Sequence, residues 1–221
     1  MNRTPVLPWP LYTIDFEASS LEPGGYPIEV GLAFWGAPDE PVYSWSTLIC
    51  PTDEWTQHGD WSKASRAVHG ISQAEAKAHG RPPSLVAKAV SEALTTCRVL
   101  WCDGGPYDAQ WARALFKPAG LRLPCPLGDW HQLLRTLDNN TRDRALHWIE
   151  QTPAEHRARA DAELLLLALA HGIQITSRPT LNLEDRIPAL VLANARTAGA
   201  EANLGGCSAE KLKSERTDDG G

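Results

Sequence analysis

Three strand-length runs follow one another within the first fifty residues, and their short connections limit how the fold can begin. Residues 11–17, Leu-Tyr-Thr-Ile-Asp-Phe-Glu, place Tyr12, Ile14 and Phe16 on one face and Thr13, Asp15 and Glu17 on the other. Pro10 precedes the run, and Ser19, Ser20, Pro23, Gly24 and Gly25 form the turn after it. Residues 28–35 and 42–49 supply the second and third runs, and Pro51 stops the last. Parallel neighbours require a long crossover, usually helical, so these connections predict an antiparallel meander.

The pattern then changes. Residues 51–81 read as mostly irregular. Leu85, Val86, Ala89, Val90, Ala93 and Leu94 recur at helical spacing and predict a helix from about Ser84 to Thr96. Arg98 to Cys102 reads as a short buried strand. Helices are predicted over 107–117, near 129–136, over 141–150 and from Arg157 to His171, with Gly172 closing the last. The run Leu164 to Leu167 is too apolar for a solvent-facing stripe, so that helix is expected to be buried on most sides. Beyond residue 176 the pattern weakens to one short helix, Ile187 to Ala195, and a polar, charged stretch over 196–221 expected to be a disordered tail. The organisation expected is one domain over 1–175 and an extension over 176–221. The fold class expected is α/β, a mixed sheet with helices packed on it.

Composition narrows what such a domain can do. Hydrophobic residues make up 43% and charged residues 22%, enough apolar material for a core and too much for global disorder. Twenty-one basic against 27 acidic residues give a net charge of −6, which argues against a basic, whole-surface nucleic-acid binder. An acidic protein can still act on nucleic acid where bound cations supply positive charge. No run approaches the length of a membrane span. Met1 to Pro10 has no apolar signal-peptide core. The five cysteines, Cys50, Cys97, Cys102, Cys125 and Cys207, form no CxxC pair and read as free thiols of a cytoplasmic protein.

Three acidic elements stand out. Asp15 and Glu17 lie two apart on the first strand, so both carboxylates leave the same face with Cα atoms ~6.6 Å apart. Alone, this is also what a solvent-facing strand edge looks like. Asp108 opens a helix after a short strand, where an acid also serves the helix dipole. Asp103 lies in the same loop. His156 and Asp161 are separated by four residues, which on one continuous helix would set them ~140° apart. They converge more readily if His156 precedes the helix on a loop, a start that the preceding Thr-Pro favours.

In this order, Asp-x-Glu on a first strand, Asp at the start of a middle helix and His-x4-Asp at a late helix, the sequence resembles the DEDDh 3′→5′ exonucleases. These are RNase H-like enzymes that include proofreading subunits, RNase T and oligoribonuclease. The resemblance spans roughly residues 9–172. It is supported by Asp-Phe-Glu-Ala-Ser-Ser-Leu at 15–21, Ile-Glu-Val-Gly at 28–31, Val-His-Gly-Ile at 68–71 and His-Arg-Ala-Arg-Ala-Asp-Ala at 156–162. One departure is Asp103, which stands where many members carry Asn.

The resemblance implies an RNase H-like sheet and an exonuclease domain over 1–175. It implies hydrolysis of DNA or RNA from the 3′ end to nucleoside 5′-monophosphates. It also implies two Mg²⁺ ions, with Mn²⁺ able to substitute, held by Asp15, Glu17, Asp108 and Asp161, and His156 as general base. Four carboxylates and two divalent cations balance in charge, and hard cations take oxygen ligands. The imidazole reference pKa of about 6.5 suits a base near neutrality. Ala18, Ser19, Leu21 and His69 are the implied substrate contacts, the partners are single-stranded or short 3′ ends, and a homodimer is left open. Two other classes compete. A catalytically idle nucleic-acid- or partner-binding module would need none of these five residues, and a glycosidase carboxylate pair leaves His156 and Asp161 unexplained.

Overall fold

The computed structural model describes residues 7–176 and 179–194. From β1 (Leu11–Ala18) the chain turns back antiparallel into β2 (Pro27–Trp35) and again into β3 (Val42–Leu48). The expected meander is therefore present. Asp15 pairs with Gly31 and Glu17 with Glu29, and the register shifts between Glu17 and Ala18. A bulge at that point bends the strand as it leaves the sheet.

Residues 51–81 depart from expectation. They form three short helices, α1 (Asp53–His58), α2 (Lys63–His69) and α3 (Gln73–His79). Helices of six or seven residues complete fewer than two turns. An apolar stripe cannot declare itself over so short a span. The signal was in the ends. The hydroxyls of Thr52, Ser62 and Ser72 accept the N–H of Trp55, Ser65 and Glu75, while Gly59, Gly70 and Gly80 close the helices.

The remaining elements are α4 (Pro83–Ala93), β4 (Leu100–Cys102), α5 (Pro106–Phe116), β5 (Leu127–Asp129), α6 (Trp130–Arg135), α7 (Asn139–Gln151), α8 (Ala158–Gly172), β6 (Leu181–Asn182) and α9 (Pro188–Asn194). The sheet runs β5-β4-β1-β2-β3-β6, with β4 parallel to β1, β5 parallel to β4 and β6 parallel to β3. This is the mixed, helix-flanked α/β sheet expected. β5 and β6, three and two residues long, were not foreseen. Gly172 is the last residue of α8 rather than its stop; Ile173 caps the helix. Ala195, Cys207 and the tail expected over 196–221 lie outside the described residues. Among the described residues, no helix is long and apolar enough to cross a membrane.

The two faces of β1 are covered separately. Tyr12, Ile14 and Phe16 join Val86, Val90, Trp111 and Leu115 of α4 and α5 in one core cluster, which also takes in Leu183 and Leu190. On the other face, the Thr13 hydroxyl donates to the Ala162 carbonyl of α8 at 2.6 Å. Leu165, Leu166 and Leu169 of α8 pack there with Leu11 and Trp35. The start of α8 is pressed so closely on β2 that a Cβ at Gly31 would lie 2.0 Å from the Ala158 carbonyl oxygen. Backbone cannot retreat from such a clash without shifting the helix. Gly31→Ala is therefore expected to destabilise the fold by about 1–3 kcal/mol, the usual cost of overpacking. Denaturant titration would read this as a lower midpoint with an unchanged slope.

Candidate active site

Because β1 and β4 are parallel, their C-terminal ends emerge at the same edge of the sheet. The helices that follow in the chain bring two more acids to that edge. Asp108 lies in the first turn of α5 and Asp161 in the first turn of α8. Asp15, Glu17 and Asp161 offer carboxylate oxygens that all lie within 4.8 Å of one another. Asp108 stands beside this triad, and of the neighbouring carboxylates it acts most strongly on Asp15. Three elements far apart in sequence thus converge as the acidic motifs required. His156 precedes α8 instead of lying within it, which removes the ~140° separation a single helix would impose.

Asp108 is 1% exposed and rigidly seated. Its Oδ2 accepts the Gly104 N–H at 2.9 Å, and the Cys102 thiol also bonds to it. A Cβ at Gly104 would lie 2.6 Å from that oxygen, so only glycine lets the loop close over the carboxylate. Gly105 takes a φ of +56° and launches the helix, with Pro106 at its first position. Asp103 is exposed, but its charge reaches Asp15, Asp108 and Asp161.

The electrostatics are those of acids crowded without cations. Burial, then the charges of Asp108, Glu17 and Asp161, raise Asp15 well above the carboxylate range. Burial, Asp161 and Glu29 push Glu17 up to about 8, against the opposing pull of Arg157. Burial brings Asp108 to about 6 despite the Cys102 thiol and Gly104 N–H. Burial also raises Asp161, which His156 counters. Each of these acids binds its proton more tightly folded than unfolded. Their penalty is absent below the unfolded carboxylate pKa near 4 and grows as pH rises through the folded values. The metal-free protein is therefore expected to lose thermal stability between about pH 4 and pH 8. Added divalent cation should raise the melting temperature more at pH 8 than at pH 5, where the ligands still carry protons. Differential scanning fluorimetry across pH, with and without cation, checks both trends; an equal shift at both values would contradict them.

The segment 152–157 carries no regular structure, and His156 on it is exposed with φ +52°. Such a backbone is uncommon for a residue with a side chain. The charge of His156 reaches both Asp161 and His69. Arg157 holds the end of this segment through a bidentate ion pair with Glu29.

The remaining residues drawn from the family resemblance cluster beside the strand bulge. Ala18 is buried. The Ser19 hydroxyl donates to the Asp60 carbonyl and accepts the Tyr26 N–H, so it holds the turn together. Leu21 is 60% exposed. His69 is buried at the end of α2. Its Nδ1 accepts the Ile71 N–H, which assigns the proton to Nε2, and that buried N–H faces the Ala18 backbone as its nearest acceptor. Burial holds its pKa below the ordinary value. Val68, next to it, is 55% exposed and was not singled out as a contact in the sequence. Neither were Glu29, Gly31, Cys102 or Gly104. Only Ile-Glu-Val-Gly, read as a family string, pointed toward two of them.

No family model matches this sequence, and no curated protein matches it. Solved structures share its fold. The zinc-bound complex of E. coli exonuclease I with single-stranded DNA is 15% identical, at a TM-score of 0.57, over 83% of this chain and 42% of that one. The apo form of exonuclease I gives 16% and 0.55, over 82% and 43%. A 3′-exonuclease solved for 3′-end recognition of a histone mRNA stem-loop gives 12% and 0.55, over 78% and 66%. The chain therefore spans less than half of exonuclease I. At these identities the shared property is the fold, and it is the fold expected from the acidic motifs.

Proposed function

We propose that this protein is a divalent-cation-dependent 3′→5′ exonuclease that releases nucleoside 5′-monophosphates from single-stranded or short nucleic acids. The observation that carries this reading is the convergence of Asp15, Glu17 and Asp161 within 4.8 Å, with buried Asp108 beside them, at the sheet edge of an exonuclease-like fold.

The residues present fit a hard divalent cation. The donors are all carboxylate oxygens, and in its absence the acids are driven toward protonation by burial and mutual repulsion. Asp15, Glu17, Asp108 and Asp161 would hold Mg²⁺, or Mn²⁺ in its place. Two such ions, when bound, supply a nucleophile at neutral pH and offset charge on the attacking and leaving oxygens. The protein's own part is geometric and acid–base. His156, exposed at the edge of the cluster, would take the proton of the attacking water. Leu21 and Val68, both exposed and apolar, would pack against the terminal base. Ala18 and His69 would line the floor, and Ser19 would hold the turn that presents Leu21.

In this reading the catalytic unit is residues 1–175. The extension adds β6 to the β3 edge and buries Leu183 and Leu190 in the core. The four described cysteines are free thiols, in keeping with a reducing cytoplasmic setting.

A 5′-labelled single strand incubated with Mg²⁺ is expected to shorten stepwise from its 3′ end, with mononucleotides as the only small product. Internal cuts appearing first, or release from the 5′ end, would reject the assignment. DNA and RNA strands of several lengths, run side by side, identify the preferred substrate.

A further inference from the structure

We infer that Glu29 and Arg157 form a clamp that positions His156, an inference that rests on the hydrolytic role proposed above. Glu29 lies inside the sheet on β2, with its side chain 3% exposed, and both carboxylate oxygens are engaged. Oε2 accepts Arg157 Nε at 2.9 Å and the Ala158 N–H at 3.2 Å; Oε1 accepts Arg157 Nη2 at 2.7 Å and the Ser46 hydroxyl at 3.4 Å. A planar guanidinium gripped at two points is fixed in orientation as well as position. The Ala158 N–H is an unpaired donor at the start of α8, so the same carboxylate also caps that helix.

His156 is the residue directly before Arg157, with a left-handed backbone on the segment ahead of α8. Residues 153–157 are exposed, and within them the Glu155 backbone N–H bonds to the Asp161 carboxylate. Beneath this segment lies a cavity of about 470 Å³ walled in part by Trp148, Pro153, Glu155, Leu164 and Leu167. The segment therefore spans open space between the Glu155–Asp161 contact and the Arg157 clamp at its far end. Gly31, two residues beyond Glu29, completes the seat by admitting the Ala158 carbonyl against β2. Glu29 and Arg157 are thus positioning residues for His156, and their opposite charges also reach Glu17 with opposing signs.

The test is a double-substitution cycle on a small phosphodiester, the p-nitrophenyl ester of thymidine 5′-monophosphate, with Mn²⁺. Arg157→Ala and the milder Glu29→Gln and Arg157→Lys are each expected to lower kcat by about 10- to 100-fold with KM nearly unchanged, the scale of a misplaced catalytic group. In a His156→Ala background the same substitutions should change kcat far less, by about twofold, because only their charge effect on Glu17 remains. Losses that multiply in the double variants would overturn the inference. Amide hydrogen exchange on the full chain without metal gives an arm independent of activity. Faster exchange confined to 153–158 in Arg157→Lys or Glu29→Gln supports the clamp, and unchanged exchange there overturns it. A parent protein that cleaves no phosphodiester would remove the proposed function, and the exchange measurement alone would then decide whether the clamp orders this segment.

Discussion

Exhaustive chelation of divalent metal is expected to reduce nucleotide release below detection, and Mg²⁺ or Mn²⁺ added back should restore it. The expectation follows from the acids themselves. Asp15, Glu17 and Asp161 crowd within 4.8 Å, and burial and mutual repulsion hold Asp15 and Glu17 above the usual carboxylate range, Glu17 at about 8. Crowded carboxylates repel the negative charge of a phosphodiester, and Glu17, held at about 8, does not ionise readily at neutral pH. Rate enhancements for phosphodiester and related hydrolyses are large, so loss of the cations should remove nearly all of it. Full activity in chelator, with residual metal excluded by elemental analysis, would reject the cation-dependent reading, whereas no activity with or without cation would favour the catalytically idle binding module. Asp108→Asn provides a companion measurement. It keeps the side chain's size but removes a charge, so metal affinity and rate should fall together.

His156→Ala is expected to lose at least about a hundredfold in rate while keeping near-normal metal affinity by calorimetry. General-base assistance is typically worth ~10²–10⁴-fold, or about 3–5 kcal/mol of barrier. The separation of the two effects follows from place. His156 stands on an exposed segment ahead of α8, whereas the four acids are set by β1, α5 and the first turn of α8. Removing the imidazole therefore leaves the carboxylates where they are. His156 also lowers the proton affinity of Asp161, so metal affinity at mildly acidic pH should fall slightly in the variant. A His156→Ala protein working within a few-fold of the parent would remove this histidine from the mechanism, and with it the role of the Glu29–Arg157 clamp.

Some of this molecule is dictated locally and could be read from residue order. Tyr12, Ile14 and Phe16 alternate with Thr13, Asp15 and Glu17 because a pleated strand sends successive side chains to opposite faces. That alternation gives both the strand and the shared face of the two acids. Short connections give the antiparallel meander, and helical periodicity gives α4, α5, α7 and α8 to within a few residues. The four acids and His156 were legible as a pattern because their order along the chain is constrained by the order of the elements that carry them.

Other features were illegible for physical reasons. The helices α1 to α3 are too short to express a period, so their caps outweigh their apolar pattern. β5 and β6 exist because β4 and β3 offer edges for pairing, a nonlocal cause that three- and two-residue segments cannot announce. Glu29 reads as one polar residue in an apolar strand. Its place opposite Arg157, 128 residues later, is set by how α8 lies across β2. Gly31 and Gly104 are ordinary glycines in sequence, yet a Cβ would lie 2.0 Å from a carbonyl oxygen at one and 2.6 Å from the Asp108 carboxylate at the other. Residue order thus announces which residues can do chemistry and which elements carry them. Their distances, burial and shifted proton affinities were decided only by tertiary packing, because each depends on atoms brought together from separate parts of the chain.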